Sequence, residues 1–140
     1  MKNSAQIAGF AGTLALVALL AAPLAARPPL KEVPEVFERV LTGAIVNEIF
    51  TRCDRIAPRR LKATLFVIGT VNYARNLGYS MDDIEALRAD PTQAQRLEAA
   101  VDAYLRRNGV RKDRPETYCA LGFAEIENKS LIGSFLKRLR

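Results

Sequence analysis

From residue 34 onward, apolar residues return every three or four positions, the spacing of helices with one buried stripe, and no segment shows the alternation of a half-buried strand. Five helices are predicted. The first runs from Pro34, a residue suited to an opening turn, to about Arg52, with Phe37, Val40, Leu41, Ala44, Ile45 and Ile49 at helical spacing. Glu35 and Arg52 lie at the ends where the helix dipole favours them. The second, Pro58 to Leu77, is apolar almost all round through Leu65 to Val71, which marks it as the central helix against which the others pack. Its β-branched run would also suit a buried strand, but about 20 residues pass without a turn signal before Gly78 supplies a left-handed stop. Gly69, in its middle, is read as room for a close neighbour.

Ser80-Met81-Asp82-Asp83 has the form of a capping box and opens a short third helix that ends near Ala89. Asp90-Pro91 caps and starts the fourth, whose stripe is Leu97, Val101, Tyr104 and Leu105, with Arg106 and Arg107 in its last turn and Gly109 as its stop. Asp113 to Pro115 opens the fifth, carrying Tyr118, Cys119, Leu121, Phe123 and Ile126. An amphipathic piece follows Ser130, with Leu131, Ile132, Phe135, Leu136 and Leu139 against Lys137, Arg138 and Arg140. Repeats, low-complexity tracts and domain linkers are absent. Residues 27–140 are therefore expected to form one all-α domain, a small irregular or orthogonal bundle of about five helices.

The chain ahead of this domain is of a different kind. Lys2, the apolar run Ile7 to Leu20 and the small residues Ala21 to Ala26 have the three parts of a secretory signal over residues 1–26, with cleavage expected near Ala26. The competing reading is a retained anchor, since Ile7 to Ala26 could just cross a bilayer. Export, to the periplasm or beyond, changes how the two cysteines are read. In an oxidising compartment Cys53 and Cys119 are expected to form a structural disulfide, tying the end of the first helix to the fifth. No C-x-x-C spacing supports a redox or metal pair.

Of the whole chain, 21 residues are basic and 15 acidic, a net charge of +6. Histidine is absent, which removes histidine-based triads and the usual zinc sites. No glycine-rich phosphate loop occurs. Neither a cofactor, a metal nor a catalytic residue is assigned. Carboxylates are the remaining catalytic candidates, chiefly Asp82, Asp83 and Glu85, or Glu125 and Glu127, and a small carboxylate-dependent enzyme is the rival reading. Asp82 and Asp83 have a simpler use as first-turn acids. Basic residues gather at Arg52 to Lys62, Arg106 to Arg114, and Lys137 to Arg140. Export argues against nucleic acid, and aromatic residues are not interleaved with these clusters as stacking platforms.

The segments PPLKEVPEV, RCDRIAPRRLKA, NLGYSMDDIEAL and PETYCALGFAEIENKSLIGSFLKRL resemble a small family of exported alphaproteobacterial proteins defined only as a domain of unknown function. The likeness spans nearly all of the domain and is most specific at Cys53, Cys119, Gly78 to Ser80, and Tyr118 to Gly133. Some members are called a component of NADH dehydrogenase, which would imply an accessory role near that respiratory complex. The component so named holds an iron-sulfur cluster through four cysteines, and this chain has two. Periplasmic stress chaperones share the small disulfide-closed helical architecture without a common motif. The expected function is non-enzymatic binding of a protein or an envelope component. The candidate interaction surface is Arg55, Arg59 and Arg60 after Cys53, with Lys137, Arg138 and Arg140 of the C-terminal segment, through which membrane-surface contact is also expected.

Overall fold

All five expected helices form in a computed structural model that describes residues 27–139. The leader read over residues 1–26 and the candidate residue Arg140 lie outside the described residues. The helices are α1 (Pro34–Arg52), α2 (Arg60–Asn76), α3 (Met81–Ala89), α4 (Pro91–Arg107) and α5 (Pro115–Glu127). Proline opens α1, α4 and α5, where its missing N–H would have had no helical partner in any case. Gly78 and Gly109 follow α2 and α4 with φ of +89° and +75°, a backbone that a side chain would strain. Ser80 Oγ accepts from the Asp83 amide at 3.1 Å, and the Asp83 carboxylate accepts from the Ser80 amide at 2.7 Å, so the expected capping box is complete.

The hub of the bundle is α1, not α2. α1 touches α5, α4, α2 and the strand that follows it. Val36, Ile45, Val46 and Ile49 are its buried residues, while Val40, assigned above to the stripe, faces solvent. In α2 only Ala74 is fully buried, and Leu61, Leu65, Val67 and Ile68 are exposed. A helix that is apolar all round carries no information about which side turns inward, and length and hydrophobicity alone misplaced this one. Gly69 has no neighbouring atom where a side chain would stand, so the close approach expected there does not occur.

The second correction concerns strands. Two short ones form, β1 (Ile56–Pro58) and β2 (Leu136–Arg138), paired antiparallel with Ile56 opposite Arg138 and Pro58 opposite Leu136. Pro58 therefore closes a strand, and α2 opens two residues later than predicted. The Arg59 amide donates to the Phe135 carbonyl at 2.7 Å and the Leu139 amide to the Arg55 carbonyl at 2.8 Å, extending the pairing at both ends. A pair this short is marginal on its own. It holds because Ile56 and Leu136 are both buried in the main core.

The disulfide forms as expected. Cys53 caps the end of α1 and is joined to Cys119 in α5, with Cα atoms 5.1 Å apart. Both sulfurs lie in the main core with Ile45, Ile49, Val101, Leu105, Tyr118 and Phe135. The lead into α1 builds a second, smaller core. Leu30 and Val33 are buried against Val36, Ala74 and Tyr79, and the Tyr79 hydroxyl donates to the Pro28 carbonyl at 2.5 Å.

Candidate functional site

β1–β2 pairing brings together two basic segments that are about 80 residues apart in sequence, and the candidate surface becomes one surface. Its members differ in what they touch. The Arg55 and Arg138 guanidinium groups lie over the Phe123 ring, at 5.2 and 4.4 Å from its centre, and Arg138 also pairs with Glu127. Arg59 Nε donates to the Leu136 carbonyl at 3.1 Å. Arg55 and Arg138 therefore hold the strand pair against α5, and Arg59 ties the start of α2 to β2, as much as they face outward. Arg60 and Lys137 have no side-chain hydrogen bond or ion pair among the described residues, and Lys62 sits over the buried Phe135 ring at 5.2 Å.

Beside this basic edge lies a feature that the sequence reading placed inside. Leu61 is 75% exposed, Leu65 59% and Ile68 49%, at positions i, i+4 and i+7 of α2, so they form one outward line. Leu139, 49% exposed, joins the line at its β2 end. Leu61 and Leu139 share an open depression of about 670 Å³ with Arg59, Arg60, Lys62 and Lys137. A contiguous apolar surface rimmed by charge is the signature of a contact site, whereas scattered single leucines are not. One signal could have found it: no acidic residue occurs from residue 55 to 81 or from 128 to 140.

Most of the other candidates are occupied with structural work, and Asp82 stands in the first turn of α3. The basic run Arg106 to Arg114 is partly neutralised, with Lys112 Nζ 2.7 Å from Asp102 and Arg111 3.3 Å from Asp113. The Asp102 hydrogen bond raises the Lys112 ammonium above its ordinary value. Hydrogen bonds from the Ser80 amide and hydroxyl hold Asp83 below the usual carboxylate range, which suits a cap and not a proton donor. Glu85 pairs with Arg88 at 3.5 Å, and Glu125 accepts from both the Tyr104 and Ser130 hydroxyls. Burial, reinforced by that bond to Glu125, pushes the Tyr104 hydroxyl well above the ordinary phenol value.

Aromatic rings do meet cations in space, contrary to what the linear sequence suggests, but the rings under Arg52 and Lys62 belong to the buried Tyr118 and Phe135. They are covered packing, not platforms for bases. Cys53, Asp54 and Cys119 bring three potential metal-ligating atoms within 4.8 Å of one another. Both sulfurs are spent on each other, which leaves one exposed carboxylate and no thiolate for an ion. A further apolar groove of about 470 Å³ runs between α1, α2 and α3, past Val40, Phe66, Val67, Met81 and Ile84. Among the described residues no helix is long and apolar enough to cross a membrane.

No curated protein and no solved structure matches the chain. A family profile does, over residues 28–137, which takes in all five helices, β1, the first two residues of β2 and the disulfide. The chain belongs to the family of unknown function DUF5333.

Proposed function

We propose that this is an exported, non-enzymatic binding protein of the cell envelope, freed of residues 1–26 after Ala26, and that its working surface is the face formed by α2 and the β1–β2 edge. The observation that carries the proposal is the line Leu61, Leu65 and Ile68, exposed beside the cations Arg60 and Lys137, which are unpaired among the described residues. Leaving three large apolar side chains of one helix face in water forgoes about 1.5–3 kcal/mol for each one that could be buried. A surface that recovers this on contact explains why the sequence keeps them. The Cys53–Cys119 bond supports export, because such bridges persist in oxidising compartments. Use of Asp83 as a cap and of Glu125 as a bridge between Tyr104 and Ser130 supports a non-enzymatic role.

Site-specific photo-cross-linking in the intact cell tests the proposal. A photoreactive side chain at Leu61 should yield a discrete adduct, and one at the exposed Glu116 of α5 should not. Equal labelling from the two positions, or none from Leu61, rules the face out.

A further inference from the structure

We infer that the partner of this face is an anionic lipid bilayer surface, with Leu61, Leu65 and Leu139 seated among the headgroups and Arg59, Arg60, Lys62 and Lys137 on the lipid phosphates. The inference rests on the reading of the face as the working surface and names what it meets. Its first support is the layering of the side chains. Leucine tips and cationic heads rim the same shallow depression, and Leu65 and Ile68 continue the line of Leu61 along α2. Long basic side chains that lie along apolar surface and reach outward to phosphate are the pattern of interfacial binding. A protein groove, in contrast, keeps charge out of its centre.

Charge distribution supplies the second support. Residues 55–81 hold five basic and no acidic residues, and residues 128–140 hold four and none. These two stretches therefore carry nine of the 21 basic residues and none of the 15 acids. The rest of the chain keeps 12 basic against 15 acidic, a net of −3. Of these nine, Arg59, Arg60, Lys62 and Lys137 line the depression with no acidic residue beside them, so a negative surface attracts this face. The same distribution disfavours a second copy as the occupant. A two-fold dimer through this face would set Arg59, Arg60, Lys62 and Lys137 against their own duplicates.

Flotation of the oxidised protein with lipid vesicles tests the inference. Binding is expected to vesicles containing phosphatidylglycerol, about tenfold or more weaker to pure phosphatidylcholine, and diminished by added salt. Arg60→Glu with Lys137→Glu, and separately Leu61→Ser with Leu65→Ser, should each weaken binding about tenfold while leaving the thermal midpoint unchanged, because all four side chains are exposed. Every variant carries the same N-terminal residues, so whatever residues 1–26 contribute is common to all arms. Absence of binding, equal partition into neutral vesicles, or indifference to both variant pairs would overturn the inference. So would sedimentation showing a dimer that Leu61→Ser with Leu65→Ser dissociates. A discrete protein adduct at Leu61 without vesicle binding would remove the lipid partner and leave the proposed binding role standing.

Discussion

Gly133 has no room for one more carbon. A Cβ there would run into the backbone of Glu125 and lie 2.7 Å from the amide nitrogen of Ile126, because the 3-10 turn Gly133–Phe135 sits directly on α5. Gly133→Ala is expected to cost about 1–3 kcal/mol, read as a lower denaturant midpoint with an unchanged slope. A midpoint equal to wild type would mean that the tail does not seat on α5. The neighbouring Glu125 makes the second prediction. Burial of Tyr104, and then its hydrogen bond to Glu125, raises the Tyr104 hydroxyl above its ordinary value of 10.0 in the folded state. Stability from the neutral phenol is therefore fully present below about pH 10 and is lost as the pH rises beyond it, so alkaline destabilisation of the wild type should exceed that of Tyr104→Phe in urea titrations. The disulfide was legible because two lone cysteines, with no C-x-x-C spacing and no histidine in the chain, have few other uses. Glu125 was not, because the groups that claim it, Tyr104 and Ser130, lie on a different helix and beyond a turn.

Helix boundaries were largely readable, since they are set by local chemistry at Pro34, Ser80, Asp90, Gly78 and Gly109. Ser80→Ala should cost about 1 kcal/mol, concentrated in α3, which has no fully buried residue to hold it otherwise; amide exchange at Asp83 and Ile84 would report it. Uniform protection across the variant and wild type would show the cap to be dispensable. The strands were not readable. Three residues, Ile56 to Pro58 or Leu136 to Arg138, are too few to show a period of two, and Pro58 suits the first turn of a helix as well as the end of a strand. Placement of α2 failed for a related reason. Its apolar residues divide between an inner side, where Phe66 packs on Phe135 with ring centres 4.8 Å apart, and the outer line from Leu61 to Ile68, and composition cannot separate the two.

At the level of the whole chain, Cys53 and Cys119 close a loop across a separation of 66 residues and remove about 4 kcal/mol worth of freedom from the unfolded state. Unfolding in the presence of a reductant should show a stability loss near that size, and a midpoint indifferent to reductant would contradict the bond as a stabilising element. The architecture was legible as a disulfide-closed helical unit, and so were the two basic segments of the candidate surface; the exposed Leu61, Leu65 and Ile68 beside them were not, because only the packing of α2 decides which of its apolar sides faces outward. Pairing of β1 with β2 thus has a consequence for biogenesis. Synthesis runs from the N-terminus, so both cysteines and all five helices are complete before Leu136 is added. Covalent closure can come first, while the patch of Leu61, Leu139 and their flanking cations is incomplete until β2 and Leu139 have been added. A product stopped before β2 would be locked and helical, yet would lack the Leu139 and Lys137 side of that patch.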